Sequence, residues 1–137
     1  MYTSTGVINL LVEALENSEL NGIVTGGVYA LQRPLNSTSE DIVVNTLPLT
    51  YEAVQRGMVN VNIYVPNREI KVGNNLDKTR PNLSRLQELE AYAVTRMLDV
   101  WGDQGEYNYE LDQTTIQQDA NNQHYLNLRV IFRALNV

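Results

Sequence analysis

The amino-acid sequence predicts an α+β fold: one largely antiparallel sheet of about five strands, with two helices packed on one face as a two-layer sandwich. Two observations predict this fold. In residues 58–65 a β-branched apolar side chain stands at every second position, which is typical of a strand with one buried and one wet face. Residues 83–101 repeat apolar side chains at helical spacing instead. The predicted order of elements is α-β-β-β-α-β-β.

The composition indicates a single folded α+β domain covering residues 1–137. Hydrophobic residues make up 43% of the chain, which is ordinary for a globular protein of this size. The absence of cysteine excludes a disulfide scaffold, a thiolate zinc site and a cysteine nucleophile. A net charge of −6 argues against a nucleic-acid reader of the usual basic kind. We see neither a signal peptide nor a transmembrane span, and we expect no membrane partner.

The first helix is predicted from Val7 to Leu20. Its apolar side chains cover one broad arc, Thr5 or Ser4 can cap its start, and Asn21-Gly22 is a stop signal. A short strand from Val28 to Gln32 follows, closed by a proline.

The next two strands are predicted from Asp41 to Leu47 and up to Pro66, joined by a ten-residue connection. In the second of them the β-branched side chains share one face. The apolar face holds Val59, Val61, Ile63 and Val65, and the other holds Met58, Asn60, Asn62 and Tyr64. Residues Asn67 to Pro81 show no periodicity, and we predict a long irregular surface loop that a partner orders.

The second helix is predicted from Leu83 to Trp101, with Asn82 as its N-cap and a capping box from Ser84 to Gln87. Gly102 ends it. Its apolar half-wheel predicts burial of Leu83, Leu86, Leu89, Ala93, Val94, Met97, Leu98, Val100 and Trp101. Glu90 interrupts this apolar arc.

Two further strands complete the predicted sheet. Tyr107, Tyr109 and Leu111 alternate, and Thr114 and Ile116 then alternate out of phase, which predicts a bulge near Asp112-Gln113. We predict a turn at residues 119–122. In the last strand Leu126, Leu128, Val130, Phe132 and Ala134 should face the core, while Asn127, Arg129 and Arg133 face out. With Asn60, Asn62 and Tyr64 they form an outer face whose composition suits contact with another protein.

We identify no catalytic, cofactor-binding or metal-ligating residue in the sequence. His124 is the only histidine and forms no recognisable triad or metal site. The acidic residues around Gly102 and Gly105 do not match a calcium-loop spacing. Glu90 allows two interpretations: a general acid or base with a raised pKa, or a carboxylate paired with Arg129 or Arg133.

Charge is unevenly distributed along the chain. Six of the ten basic residues lie between Arg56 and Arg85, and residues 86–120 hold eight carboxylates against one arginine. These runs are either two solvated surfaces or the two sides of a contact between subunits. Under the second interpretation, the predicted interface residues are Arg68, Lys71, Lys78, Arg80, Arg85, Asp99, Asp103, Glu106 and Asp112.

The order of elements resembles that found in a known family of proteins. Five segments that span nearly the whole chain carry this resemblance: GGVYALQRP, DIVVNTLPL, RGMVNVNIYVPN, LSRLQELEAYAVTRML and HYLNLRVIFRALN. In size, order and pattern the chain resembles the tail-terminator and tail-completion proteins of long-tailed bacteriophages and their prophage relatives.

The resemblance implies a structural virion component without a cofactor. Such a subunit closes with copies of itself into a ring, usually a hexamer, which caps the tail tube and offers a docking surface to the head. The implied partners are the tail-tube protein and a head-completion or connector protein, with DNA only as passing cargo. The implied location is the virion tail, and the bacterial cytoplasm during assembly.

Two other functions stay open from the sequence. One is an α+β protein–protein interaction module of unrelated role, which a monomer at every concentration would favour. The other is an enzyme with a pocket around Glu90, which would need a buried cleft that brings Glu90 and His124 within reach of each other.

Overall fold

A computed structural model describes residues 1–120 and 122–136, and it confirms the α+β class. The sheet has six strands rather than five, and there are three helices rather than two. The elements are α1 (Ser4–Glu16), α2 (Glu19–Ile23), β1 (Val28–Ala30), β2 (Ile42–Leu49), β3 (Val54–Pro66), β4 (Ile70–Val72), β5 (Asn75–Asp77), α3 (Leu83–Met97), β6 (Val100–Trp101), β7 (Tyr107–Asp119) and β8 (Gln123–Leu135).

The main sheet has the strand order β1-β2-β3-β8-β7-β6. β1 runs parallel to β2, and every other neighbouring pair is antiparallel. β3 and β8 form the centre, paired without interruption from Val54–Leu135 to Pro66–Gln123. The connection between β2 and β3 covers residues 50–53 and is shorter than predicted, because both strands extend into the region expected to be a loop.

One hydrophobic core lies between the inner face of this sheet and the helices. All the side chains of β3 and β8 predicted to face the core are buried, so the predicted register of both strands is confirmed. They pack in one cluster with the apolar sides of α1 and α3. The helical contributors are Val7, Ile8, Leu11, Leu15, Leu86, Leu89, Ala93 and Met97.

The first helix begins earlier and ends earlier than predicted. Thr3, not Ser4 or Thr5, is the N-cap, and its Oγ1 accepts the Gly6 N–H at 3.1 Å. The helix stops after Glu16 because the Ser18 hydroxyl donates to the Leu15 carbonyl at 2.6 Å and the chain turns there. A short separate helix, α2, occupies the rest of the predicted span.

The second long helix has the predicted N-cap but a different end. Asn82 Oδ1 accepts the Arg85 N–H at 3.3 Å. The helix ends at Met97, and the chain then forms β6, which pairs with β7. The prediction that Leu83, Leu98 and Trp101 are core residues is therefore wrong, with exposed fractions of 60%, 57% and 60%.

Several local features decide where the strands begin and end. The bulge in β7 is confirmed, between Leu111 and Gln113. β1 is shorter than predicted because Leu31 has a φ of 70° and leaves the extended conformation. At Gly26 a β-carbon would lie 2.0 Å from Asp41 Oδ1, so this close approach requires glycine. The predicted turn at residues 119–122 includes Asn121, which lies outside the described residues.

A candidate subunit interface

Residues 68–80 form an arm at one end of the sheet. The prediction of an irregular loop here is wrong, because β4 and β5 pair as a two-stranded antiparallel hairpin. Gly73 has a φ of 62° in the turn between them. Strands this short give no periodic signal in the sequence, which explains why the hairpin could not be predicted.

The arm is held at its base and exposed at its tip. The Arg68 N–H donates to the Arg80 carbonyl at 3.0 Å, which closes the base. Just before it, Asn67 Oδ1 lies 2.6 Å from His124 Nδ1, which ties the base to β8. At the tip, Val72 and Leu76 are 54% and 51% exposed. The hairpin therefore has aliphatic side chains that no core covers.

The charges of the arm are only partly balanced. Arg80 Nε lies 3.1 Å from Asp77 Oδ2, and Lys78 Nζ lies 3.8 Å from Glu69 Oε1. The pKa of Asp77 lies below its ordinary value, chiefly because the Thr79 hydroxyl and N–H donate to its carboxylate. In the described part of the chain, Arg68 and Lys71 have no ion pair. The arm thus carries two uncompensated positive charges.

Arg85, one of the predicted interface residues, is engaged within the subunit. Its guanidinium contacts the Glu40 carboxylate through Nε and Nη2, both at 2.7 Å, and the Ile23 carbonyl at 2.9 Å. Glu88 adds a contact at 3.1 Å. The hydrogen bond to Glu40 is the main reason that the pKa of Arg85 is raised. The side chain joins α3 to the segment before β2 and is not free to meet a neighbour.

The predicted acidic residues lie away from the arm. Asp103 and Glu106 occupy the turn between β6 and β7, Asp99 precedes β6, and Asp112 stands at the bulge of β7. β7 begins beside Ala134, close to where Leu135 pairs with the first residue of β3. The arm leaves from the last residue of β3, and a strand of 13 residues is about 40 Å long. The turn that holds Asp103 and Glu106, which we call the acidic turn, is thus at the opposite end of the sheet from the arm.

An open groove of about 480 Å³ runs between α3 and β7. We call it the α3–β7 groove. Its lining combines aliphatic and polar side chains and consists of Gln87, Glu90, Ala91, Val94, Leu111, Asp112, Gln113 and Thr114. Arg133 is paired with Glu110 at 2.8 Å, and Arg129 lies on the other face of the sheet. The predicted pairing of Glu90 with either arginine is therefore wrong.

One long edge of β7 is unpaired. β6 pairs with residues 108 and 109 of this strand, and beyond them the described chain places no strand on that side. Residues 113–118 are uncharged and exposed, and Ile116 is 48% exposed. Exposed, uncharged edges are templates for the addition of a further strand.

The outer face of the sheet is more enclosed than predicted. Asn127 Nδ2 donates to Asn62 Oδ1 at 2.7 Å and to Asn60 Oδ1 at 3.3 Å, and Asn60 Nδ2 donates to Asn45 Oδ1 at 3.1 Å. Asn62 and Asn127 are buried. These side chains satisfy one another across three neighbouring strands, so this face is less available to a partner than its composition indicated.

Arg33 and Asp41 form a second polar centre, which the sequence analysis missed. The Arg33 Nε donates to Asp41 Oδ2 at 2.8 Å, and its Nη2 donates to the Ser37 and Ser39 carbonyls. Arg33 also bonds Gln123 and lies over the Tyr64 ring, 4.5 Å from its centroid. Together these contacts fix the loop before β2 onto the outer face. The one sequence signal was Glu40-Asp41, two acids directly before a buried strand.

The structure does not gather the residues proposed for catalysis. His124 contacts Asn67 and pairs in register with Gln118, whereas Glu90 lies beside the bulge of β7. Among residues 1–120 and 122–136, no group of three His, Asp or Glu side chains has a metal-binding arrangement. Within the same residues, no helix combines the length and apolar character needed to cross a membrane. The sequence matches no protein-family model, and a search of curated proteins finds no match either.

Proposed function

We propose that the protein is a structural subunit that assembles with copies of itself into a ring, and that this ring is a tail terminator of a long-tailed phage or prophage. The observation that supports self-assembly is the separation of charge along the sheet. A basic arm stands at one end, and an acidic turn with Asp103 and Glu106 at the other. The resemblance in element order supports the terminator role.

Two different surfaces on one subunit produce a head-to-tail contact. Such contacts close into rings or continue as filaments, whereas a two-fold dimer uses the same surface twice. α3 has 15 residues and is about 22 Å long, which helps hold the two charged regions apart. Exposed ion pairs contribute only about 0–1 kcal/mol each, so their main effect is to steer subunits and fix their register.

The proposed ring would cap the tail tube, stop its growth and receive the head through a completion or connector protein. The net charge of −6 agrees with a passage through which DNA moves without binding. In this role the protein uses neither a cofactor nor a catalytic residue.

The first test is sedimentation velocity at increasing protein concentration, in low and high salt. We expect a closed oligomer of fixed size whose formation is weakened by salt. A monomer at all concentrations, or a two-fold dimer that buries neither charged region, would contradict the proposal. Addition of the assembled protein to growing tubes of a phage tail-tube protein should halt their elongation, and an unrelated acidic protein of similar size is the control.

The free edge of β7 also favours a second candidate, an interaction module that binds an extended segment of another protein. Strand addition to an exposed edge beside a helix is a common mode of peptide recognition. Under this alternative the protein stays monomeric when the sedimentation test is performed, because the edge accepts a foreign strand rather than a second copy.

A further inference from the structure

The α3–β7 groove has the form of a binding site for an extended segment. Its floor is the unpaired edge of β7, which offers backbone donors and acceptors to a new strand. Its wall is α3, which contributes the aliphatic side chains of Ala91 and Val94. Leu111 continues this apolar surface on the strand side. A strand that binds here needs an aliphatic side chain on the face turned toward α3.

The two carboxylates in the lining of the groove add a requirement for charge. Glu90 is half-buried on the helix side, and Asp112 is exposed on the strand side. Neither carboxylate has an ion pair among the described residues. A positively charged side chain beside the aliphatic one would therefore complement both carboxylates.

The arm supplies this combination. Lys71 and Leu76 are directly opposite each other in the β4–β5 pairing, so their side chains share one face. Leu76 is 51% exposed, and Lys71 has no ion pair in the described chain. A two-stranded hairpin without a packing partner is marginally stable in water. Pairing with a third strand would therefore stabilise the arm, and the edge of β7 has backbone groups that no strand pairs with in the described chain.

We propose that the arm of one subunit adds to the free edge of β7 in a neighbouring copy, with Leu76 against Ala91 and Val94 and Lys71 between Glu90 and Asp112. This contact rests on the proposed ring, and within that ring it places the basic arm against Glu90 and Asp112 rather than against the turn that holds Asp103 and Glu106. In the structure the arm does not line the groove of its own subunit. A joint made of two different surfaces, an arm and a groove, is head-to-tail, as a ring requires.

The first experiment uses the absence of native cysteine. Leu76→Cys and Ala91→Cys are made in two separate full-length proteins with tags of different size, which are mixed and oxidised. We expect a disulfide-linked heterodimer, because a strand added beside α3 brings the Cα atoms of these two positions within about 7 Å of each other, as a disulfide requires. The matched control pairs Leu76→Cys with Leu35→Cys, which is exposed and outside the groove. All these positions are exposed, so the variants should fold.

A charge exchange tests the same contact without cross-linking. Lys71→Glu should weaken association about tenfold in low salt, because a like charge then faces both carboxylates. Mixing this variant with Asp112→Lys should restore association at that joint. Lys78→Glu is the matched control: this lysine lies on the same arm, but it contacts Glu69 of its own subunit. It should have a much smaller effect.

The outcomes separate this contact from the proposed function. Closed oligomers whose cross-linking does not exceed the control would overturn the arm contact and leave the ring proposal standing. A double variant that carries both Leu76→Cys and Ala91→Cys tests the contact within one chain, and a disulfide inside the monomer would also overturn the arm contact between subunits. If cross-linking is efficient but sedimentation shows open filaments rather than a closed oligomer, the arm contact is supported and the closed ring is overturned. A monomer without cross-linking at any concentration would overturn both.

Discussion

The β3–β8 pair and the β4–β5 arm are both antiparallel strand pairs, yet they differ in what stabilises them. β3 and β8 pair over their whole length of 13 residues, and one of their faces is buried under the helices. The arm pairs three residues of each strand and leaves Val72 and Leu76 exposed. Hydrogen-bonded pairing alone contributes little net stability, whereas burial contributes much more. The arm, unlike the central pair, therefore gains little stability from the core of its own subunit.

The largest expected difference between the two regions concerns a leucine in each. Leu128→Ala removes a fully buried side chain from β8 and should lower the free energy of unfolding by about 2–5 kcal/mol. Leu76→Ala makes the same chemical change on the exposed arm and should change it by less than about 0.5 kcal/mol. Urea unfolding of both variants measures this. Equal losses would show that the arm belongs to the core of the monomer.

A smaller difference is expected for one carboxylate in each region. Glu40→Gln removes the charge that binds the largely buried Arg85, and it should cost about 1–3 kcal/mol of unfolding free energy. Glu69→Gln removes an exposed partner of Lys78 and should cost less than about 1 kcal/mol. Thermal unfolding at low and high salt distinguishes them. If Glu69→Gln lowers the unfolding free energy as much as Glu40→Gln does, the expected difference between the two regions is wrong.

The smallest effect should be confined to the arm. Gly73→Ala places a side chain at a φ of 62° and should destabilise the local hairpin by about 1 kcal/mol, leaving global unfolding unchanged. Amide exchange in the arm should become several-fold faster, and trypsin should cut at Arg68, Lys71 or Lys78 before any other site. Gly22→Ala is the control, because that glycine also has open space around it but a negative φ. Unchanged amide exchange and unchanged trypsin cleavage in the arm would mean that an alanine at position 73 causes no strain in its turn.

The sequence was sufficient to predict the elements that have a periodic side-chain pattern or a recognisable cap. Alternation placed the inner faces of β3 and β8, the phase change at Leu111 placed the bulge, and Asn82 marked the start of α3. Each of these signals is local and extends over several residues. Trp101 shows the limit of such a signal, because its apolar spacing continues the helical period while the chain has already turned into β6.

The candidate site was predicted only in part. The basic arm and the acidic residues were identified as charged regions, but their placement at opposite ends of the sheet depends on long-range pairing. The engagement of Arg85 depends on Glu40, which is distant in sequence. The groove is formed by α3 and β7, and no local pattern encodes such a juxtaposition. Short strands such as β4 also lie below the length at which periodicity becomes visible.

The central position of β8 has a consequence for synthesis on the ribosome. Val54 pairs with Leu135 near the end of the chain, so one edge of β3 stays unpaired until β8 has emerged. Non-local pairing of this kind slows folding and exposes nascent chains to aggregation. Until β8 joins the sheet, β7 is also unpaired along the side that β8 later occupies. An unfinished chain therefore exposes more strand edge than the finished subunit, so association is favoured most before the core has closed.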